Sequence, residues 1–373
     1  MTKKYTSLGL MSGTSGDGVD ASIIESDGNS QYKTIEDKFF QYDNEIYDSI
    51  HTLKDKIQNH KDLHNYNKEC SELEKKITLF HAKTIKELEK NNLIQIVGFH
   101  GQTIFHDSEK RITKQLGNGN LLFQLIKKNV IYDFRQNDII NGGEGAPLTP
   151  IFHQLLANKL NLDFPVCILN IGGISNVTII DDKLNPLKIF SKDIGPGNCL
   201  IDSWVRKNSK FKFDTGGNLA AGGNVNLLSV EQAQDLFLNI NTKKKYSLDT
   251  NDFDISFARG LSLEDGAATV TDLTAKIIGN SLTEIISKYD DKKFKVLICG
   301  GGRKNSFLIN NIKKNIPKNI HLELLDQKGV DGDFIESQAF AYLAIRSYLE
   351  LPISFPNTTG CKKPSKGGKI VKN

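Results

Sequence analysis

Three glycine-rich segments of the chain have the composition of nucleotide-binding turns. They span residues 13–20, 170–178 and 299–305. Glycine lets a backbone approach a polyphosphate or an adenosine closely, hydroxyl and N–H groups donate hydrogen bonds to phosphate oxygens, and aspartate can hold Mg²⁺ or its waters. The predicted cofactor-binding residues are Gly13, Thr14, Ser15, Gly16, Asp17, Gly18, Val19, Asp20, Gly172, Gly173, Ser175, Asn176, Gly300, Gly301, Gly302 and Asn305.

Each segment also has a plain structural interpretation. The first and second are flanked by β-like sequence and could be polar hairpin turns, and the third could be a turn between a strand and a helix. The first segment is not a Walker A loop, because no Gly-Lys-Ser/Thr follows it and the next element has the pattern of a strand. Their order along the chain, two hairpin turns and then strand, glycines and helix, resembles the order of the two phosphate motifs and the adenosine motif in the actin/hexokinase/Hsp70 superfamily. This resemblance favours nucleotide binding.

Asp193 is the best candidate for a catalytic base. The segment Asp193-Ile-Gly-Pro-Gly-Asn198 is predicted to be a turn before a helix at 199–206. A carboxylate beside a glycine turn can accept a proton from a hydroxyl or a water, which phosphoryl transfer requires of its nucleophile. The alternative is a helix N-cap, although the intervening residues, including Pro196, make Asn198 the better cap.

Further polar residues follow predicted strands in the first half of the chain. His100-Gly-Gln-Thr103 ends one strand, and Asp133-Phe-Arg-Gln-Asn-Asp138 ends the next. Arg135 could bind an anionic group of a substrate through two parallel hydrogen bonds, or it could form a surface ion pair with Asp138. The predicted substrate-binding residues are His100, Gln102, Arg135, Asp138, Gly195 and Asn198.

The elements that position these residues alternate between strands and helices, which predicts an α/β fold. A strand, a polar turn and a second strand occur near the N-terminus and again after residue 165, an arrangement typical of weak internal duplication. A chain of 373 residues is long enough for two lobes. We predict an N-terminal lobe at 1–140 plus 351–373, with the first turn, and a C-terminal lobe at 141–350, with the other two.

Composition restricts the expected partners and location. Lys plus Arg number 48 and Asp plus Glu 44, so the small positive excess disfavours nucleic-acid binding. The five cysteines show no metal-ligand spacing, as expected in a reducing cytosol. The chain starts on a β-like run and has no apolar stretch of roughly 20 residues, the length of a membrane span. A cytoplasmic protein without a membrane partner is expected.

With these motifs in order, the sequence resembles the anhydro-N-acetylmuramic acid kinase family of the actin/hexokinase/Hsp70 superfamily. The resemblance extends from about residue 8 to residue 368. The motifs that carry it are Leu10-Met-Ser-Gly-Thr-Ser-Gly-Asp-Gly-Val-Asp20, Gly98-Phe-His-Gly-Gln-Thr103, Asp133-Phe-Arg-Gln-Asn-Asp-Ile-Ile-Asn-Gly-Gly-Glu-Gly-Ala-Pro-Leu148, Leu169-Asn-Ile-Gly-Gly-Ile-Ser-Asn176, Asp193-Ile-Gly-Pro-Gly-Asn198, Lys245-Tyr-Ser-Leu-Asp249, Glu264-Asp-Gly-Ala-Ala-Thr269, Gly300-Gly-Gly-Arg-Lys-Asn305 and Asn357-Thr-Thr-Gly360.

The resemblance implies a fold and a reaction. The fold is the two-lobed, ribonuclease H-like ATPase fold, with duplicated mixed sheets flanked by helices and a central cleft for ATP. The reaction opens the bridge of 1,6-anhydro-N-acetylmuramic acid with water and transfers the γ-phosphoryl group of ATP to O6 during peptidoglycan recycling. By the same resemblance Asp193 matches the base, residues 13–20 match the ATP-binding segment, and the region of Arg135 matches sugar-binding sequence. Mg²⁺ and a homodimer are also implied.

Three positions depart from the family pattern. Ile194 stands where threonine is usual, Glu144 where glutamine is common, and Cys361 where alanine is typical. None removes a group that the mechanism needs. Two alternatives remain open at this point: another sugar or carboxylate kinase of the same superfamily, or a non-catalytic, actin-like nucleotide switch.

Overall fold

The structure, a computed structural model, describes residues 3–89, 93–241, 247–289 and 293–372. Lys245 and Tyr246 of the predicted motif at 245–249 lie outside these residues. The strands are β1 (Tyr5–Ser12), β2 (Gly18–Ser26), β3 (Tyr32–Gln41), β4 (Ile96–Asp107), β5 (Ile112–Leu116), β6 (Asn129–Tyr132), β7 (Val166–Ile171), β8 (Ile174–Ile180), β9 (Ile189–Pro196), β10 (Phe294–Cys299), β11 (Ile320–Leu324) and β12 (Lys369–Val371). The α-helices are α1 (Asn44–Lys56), α2 (Asp62–Asn65), α3 (Asn67–Glu89), α4 (Gly119–Ile126), α5 (Phe134–Ile140), α6 (Pro150–Lys159), α7 (Cys199–Asn208), α8 (Asn218–Ala221), α9 (Leu227–Asn241), α10 (Leu263–Ile286), α11 (Ser306–Lys314), α12 (Ile335–Tyr348) and α13 (Pro356–Thr359).

The described strands form two mixed sheets. The first has the order β12-β6-β4-β1-β2-β3, with β5 added to β4. In it, β1 runs antiparallel to β2 and parallel to β4. The second has the order β11-β10-β7-β8-β9. There, β10 runs parallel to β7 and β11, while β7 and β8 are antiparallel. The predicted α/β class with two mixed sheets is confirmed.

The chain divides into two compact units, which differ from the predicted lobes. The first unit contains Met1–Leu162, Asp182–Phe190 and Phe334–Asn373, and the second contains Asp163–Asp181 and Ser191–Asp333. The predicted boundaries at 140 and 351 therefore assign three segments of the first unit to the C-terminal lobe: residues 141–162, 182–190 and 334–350, the last of which contains α12. The predicted passage between lobes at 141–150 is a loop inside that unit.

Close packing explains why α12 belongs to the first unit. A Cβ atom on Gly9 of β1 would lie 1.9 Å from the carbonyl oxygen of Ser337, and one on Gly98 of β4 would lie 2.4 Å from that of Phe340. Only glycine allows the helix backbone to approach the sheet this closely. The middle of α12 is buried, so it forms part of the core on this face of the sheet.

The strand–turn–strand units at the start of each half are confirmed as β1–β2 and β7–β8, and the helix after the third glycine segment is confirmed as α11. Among the described residues, no helix combines the length and the apolar character that crossing a bilayer requires.

Candidate functional site

The first glycine turn connects β1 to β2, and helix α1 supports it. Gly16 has a φ of +64° and donates its N–H to the Gly13 carbonyl at 3.2 Å. The Ser15 hydroxyl donates to Oδ1 of Asp17 at 2.6 Å. From α1, Nε2 of His51 and Nζ of Lys54 donate to the carbonyls of Ser15 and Thr14 at 3.0 and 2.6 Å. With its carbonyls bonded to α1, the turn is held in a defined conformation.

The second turn joins β7 to β8 and is bonded to the segment that precedes α7. The N–H groups of Gly197 and Asn198 donate to the carbonyls of Gly173 and Gly172 at 2.9 and 2.8 Å. The Ser175 hydroxyl donates to the Pro196 carbonyl at 3.1 Å. The structure therefore brings the predicted turn and the predicted substrate residues near 195–198 together.

The third turn packs against the second because β10 runs parallel to β7, so that both strands end at the same edge of the sheet. A Cβ atom on Gly300 would lie 2.4 Å from Oδ1 of Asn170, and one on Gly302 would lie 2.3 Å from Cγ2 of Ile171. The side chain of Asn198 borders the same turn, 3.1 Å from the Cβ position of Gly302. Within the second unit, these three segments form one block.

One glycine in each turn is not required by the fold. A Cβ atom added to Gly13 would meet its nearest neighbour at 3.7 Å, one added to Gly172 at 3.5 Å and one added to Gly301 at 3.8 Å, all ordinary contact distances. None of the three has a positive φ. A methyl group would therefore fit beside each Cα without a clash, so the backbone leaves room there for a ligand to approach.

Asp193 lies in strand β9 and not in the predicted turn. The strand continues through Gly195 and Pro196 because β9 is the edge strand of its sheet, where proline is tolerated. The Asp193 side chain is buried, and its Oδ2 accepts the N–H of Leu248 at 2.8 Å. Ile194, one of the departures from the family pattern, is fully buried and fills the core.

Gly195 and Asn305 have structural explanations. A Cβ atom on Gly195 would lie 2.4 Å from Cγ2 of Ile277, so glycine is needed for packing against α10. Oδ1 of Asn305 accepts the N–H of Leu308 at 2.9 Å and caps α11. Asn198 occupies the N-cap position of α7 as expected, but its side chain makes no capping hydrogen bond.

The buried His100 and the half-buried Arg135 form a hydrogen-bonded pair in the first unit. His100 lies inside β4, which does not end at residue 103 as predicted, because β5 pairs with its second half. Nδ1 of His100 donates to the Gly101 carbonyl at 2.7 Å, and its Nε2 accepts Nε of Arg135 at 3.1 Å. Burial, together with the charge of Arg135, holds the pKa of His100 well below its usual value. The neutral imidazole thus orients the guanidinium, which also donates to the Gly145 carbonyl at 2.8 Å.

Asp138 is bonded to distant parts of the chain. Its carboxylate is fully buried. It accepts the hydroxyl of Ser354, the hydroxyl of Thr359 at 2.7 Å and the N–H of Gly145 at 2.8 Å. These hydrogen bonds fasten the loop after α5 to the segment around α13.

Three buried amide oxygens, those of Gln102, Asn158 and Asn176, have no partner among the described residues, and two of them lie at the glycine turns. Gln102 is fully buried, and its Nε2 donates to the Gly13 carbonyl at 2.9 Å, but its Oε1 has no hydrogen bond. Oδ1 of Asn176, beside the second turn, is also buried and unbonded. Buried acceptors without a donor are rare in native proteins, so both oxygens indicate places where a ligand hydroxyl or a water binds.

Arg303 was not among the residues predicted from the sequence. Its side chain is only 4% exposed and is surrounded by Asp326, Asp331 and Asp333. It also donates to the Gly300 carbonyl at 3.2 Å, and the N–H of Gly300 donates to the Gly332 carbonyl at 3.0 Å. Arg303 therefore holds the third turn against the loop at 326–333. The sequence feature that could have identified Arg303 is a cation directly after a glycine turn, followed later in the chain by a cluster of aspartates.

The chain is similar in sequence to a known family of kinases. A family model described as anhydro-N-acetylmuramic acid kinase matches residues 5–373. The chain is 56% identical to the anhydro-N-acetylmuramic acid kinase of Pelagibacter ubique and 35% identical to that of Agrobacterium fabrum, with 100% of each chain covered in both cases. A ROK family glucokinase from Streptomyces griseus, solved with glucose and AMPPNP, aligns with a TM-score of 0.39 at 12% identity, covering 91% of this chain and 99% of that one.

The chain has two mixed sheets with glycine turns after their strands, and it is matched over its whole length by kinases that act on a sugar. Its class is therefore that of a sugar kinase. The chain belongs to the anhydro-N-acetylmuramic acid kinase family. The resemblance inferred from the motifs is therefore confirmed.

Proposed function

We propose that the chain uses ATP and water to convert 1,6-anhydro-N-acetylmuramic acid into N-acetylmuramic acid 6-phosphate and ADP, with Asp193 as the base. The observation that carries the assignment of the base is the position of its buried carboxylate. Asp193 lies on β9, directly before the segment that is hydrogen-bonded to the second glycine turn, and the Leu248 N–H holds one of its oxygens. A carboxylate fixed in this way can accept a proton from water.

The proposed reaction forms two bonds between heavy atoms and breaks two, and it moves one proton from water to Asp193, which afterwards releases it to solvent. The water oxygen bonds to the anomeric carbon and gives its proton to Asp193, while the bond from that carbon to O6 breaks. O6 then bonds to the γ-phosphorus as the bond to the ADP oxygen breaks. Water and ATP supply every atom that the sugar gains, so no further co-reactant is needed.

The glycine turns are the proposed ATP-binding residues. Room for an added Cβ atom at Gly13, Gly172 and Gly301 supports close approach of the nucleotide to the backbone. Asp17 and Asp20 offer the hard carboxylate oxygens that Mg²⁺ takes, and the ion would supply neutralisation of phosphate charge. Ser15 orients the Asp17 carboxylate through its hydroxyl.

Arg135 and Gln102 are the proposed sugar-binding residues. N-acetylmuramic acid carries a carboxylate, which a guanidinium oriented by His100 can bind. The unbonded Oε1 of Gln102 can accept a sugar hydroxyl or amide proton. His100 contributes by holding Arg135 in position.

The reaction is tested in heavy-oxygen water by mass spectrometry of the product. Opening of the bridge by water places the label on the anomeric hydroxyl, whereas phosphorylation of an already open sugar leaves that hydroxyl unlabelled. Unlabelled N-acetylmuramic acid 6-phosphate incubated in the same water gives the background exchange. A product without label above this background contradicts the proposal and supports a different sugar kinase.

The assignment of the base is tested with Asp193→Asn. Asparagine still accepts the Leu248 N–H, so the fold and ATP binding are retained, while sugar-dependent ADP release falls by about 100-fold or more, the usual contribution of a general base. The matched control is Asp214→Asn, because Asp214 is equally buried in the same unit and its carboxylate accepts the N–H groups of Leu219 and Ala220. Turnover that survives in Asp193→Asn contradicts the role of this residue.

The proposed setting is the cytoplasm, and the proposed assembly is a homodimer, as the family resemblance implies. Sedimentation of the purified chain over a range of concentrations measures the assembly. A monomer at all concentrations contradicts the dimer.

A further inference from the structure

A buried chain of hydrogen bonds lies directly beside the first glycine turn. Ser12, the last residue of β1, is bonded through its Oγ to the hydroxyl of Tyr42 at 2.9 Å and to Nε2 of His81 at 3.3 Å. His81, on α3, is bonded through Nδ1 to the Ile77 carbonyl at 2.8 Å. Tyr42, Ser12 and His81 are each at most 3% exposed, so water does not compete for these hydrogen bonds.

The chemistry of the groups allows only one direction of donation along this series of hydrogen bonds. A carbonyl only accepts, so Nδ1 of His81 carries the proton, and Nε2 of the neutral ring accepts the Ser12 hydroxyl. Ser12 Oγ then accepts the hydroxyl of Tyr42. Burial lowers the pKa of His81 to about 4 and raises the pKa of Tyr42 well above its usual value. At neutral pH the histidine is uncharged and the tyrosine is protonated, so the direction is maintained.

Tyr42 contacts both ends of the turn. Its hydroxyl holds Ser12, on the N-terminal side, and its backbone N–H donates to the Asp17 carbonyl at 2.9 Å, on the C-terminal side. Its ring is itself held by an edge contact with Phe80, at a centroid distance of 4.8 Å. The four residues between these two attachment points, 13–16, include the open backbone at Gly13.

We propose that Tyr42 and His81 are positioning residues that fix the first turn, through Ser12, in the conformation that binds the nucleotide phosphates. The inference rests on the proposed function of that turn. Both side chains are buried beside the turn, so they act through it and do not touch the ligand. A turn that is ordered before the ligand arrives loses less conformational entropy on binding, which raises affinity.

The test is Tyr42→Phe, which removes one hydroxyl and keeps the ring. ADP binding is measured by calorimetry without sugar, and KM is measured for ATP and for the sugar. Loss of one hydrogen bond that orders the turn weakens ADP binding, and raises KM for ATP, by about 3- to 10-fold. KM for the sugar rises less than KM for ATP, because the turn is assigned to the nucleotide and is connected to the proposed sugar-binding residue Gln102 through the Gly13 carbonyl.

The matched control is Tyr342→Phe. Tyr342 is 1% exposed, lies in the same unit and donates its hydroxyl to the Asn29 carbonyl at 3.1 Å, away from the turn. The Tyr342 hydroxyl also accepts Nη1 of Arg346 at 3.2 Å, so Tyr342→Phe lowers thermal stability at least as much as Tyr42→Phe, but it leaves ADP affinity unchanged. Equal ADP affinity in Tyr42→Phe and the wild type overturns the proposal, as does an equal loss in both variants.

Ser12→Ala provides a second, independent test. It removes the central hydroxyl and interrupts the chain, so ADP binding weakens, and adding Tyr42→Phe to it causes no further loss. Fully additive losses in the double variant overturn the coupling between these residues. A wild-type chain that binds neither ADP nor ATP overturns the proposed function itself, and this inference with it.

Discussion

Replacement of Arg303 tests how the third glycine turn is held. Nε and Nη2 of Arg303 each lie 2.7 Å from the carboxylate oxygens of Asp326, Nη2 lies 3.0 Å from Asp331, and Nη1 contacts Asp333. Arg303→Ala removes the only cation that lies among all three carboxylates in the described part of the chain and leaves them to repel one another. Arg303→Lys keeps the charge but loses the planar fork that binds Asp326 with two hydrogen bonds.

The size of the effect follows from burial. Breaking a buried ion pair by removing one partner costs about 3–5 kcal/mol. The carboxylates of Asp326, Asp331 and Asp333 are 39%, 51% and 26% exposed, however, so water replaces part of the lost interaction. We therefore expect the free energy of unfolding of the second unit to fall by about 2–3 kcal/mol in Arg303→Ala, and by about 1 kcal/mol in Arg303→Lys.

The pH dependence gives the sign of the interaction. Arg303 lowers the pKa of Asp326, and Arg303 with Lys304 lowers the pKa of Asp333 although burial opposes the shift. A lowered carboxyl pKa stabilises the fold above the pKa of the unfolded chain, about 3.9 for aspartate, and this stability is lost as pH falls through the folded value. The difference in the free energy of unfolding between wild type and Arg303→Ala therefore has its largest value at pH 6 to 7 and becomes smaller below about pH 4.

Urea unfolding followed by tryptophan fluorescence measures this difference, because Trp204, the single tryptophan of the chain, is buried in the second unit. Arg346→Ala, followed by circular dichroism, is the control: Arg346 is equally buried but bonds to the carbonyls of Pro352 and Gly28, so its loss has no comparable acid dependence. A wild-type advantage over Arg303→Ala that stays constant down to pH 3, or is absent at pH 7, refutes the reasoning.

Two further predictions concern the glycine turns and the loop after α5. Gly172→Ala and Gly301→Ala should leave the melting temperature unchanged but weaken ADP binding by about tenfold or more, equivalent to ~1.4 kcal/mol, because a methyl group enters the open space above the turn. Gly222→Ala, where an added Cβ also meets nothing closer than 3.5 Å, should change neither quantity, and equal ADP affinity in all three variants would contradict the assignment of the turns. Asp138→Ala should lower the free energy of unfolding by about 3 kcal/mol in urea titrations, because three buried donors lose their acceptor; a loss below about 1 kcal/mol would contradict its role as the fastening point of the loop.

The local elements and the family could both be predicted from the order of the residues alone. Hydrophobic periodicity and glycine punctuation identified β1–β2, β7–β8 and the succession of β10, turn and α11, because these patterns are set by residues close together in the chain. The motifs identified the family for a related reason, since each one is a contiguous run whose composition does not depend on distant partners.

The meeting of distant residues was visible only in the folded chain. Asp138 bonds to Ser354, 216 positions away, and α12 packs on β1 because Gly9 admits the Ser337 carbonyl. Because of these contacts, α12 belongs to the first unit, and Asp138 connects the loop after α5 to the segment around α13. The polar character of Asp138 was evident from its residue type, but its partners were not, because hydrogen bonding and close packing depend on distance in space and periodicity reports only on neighbours along the chain.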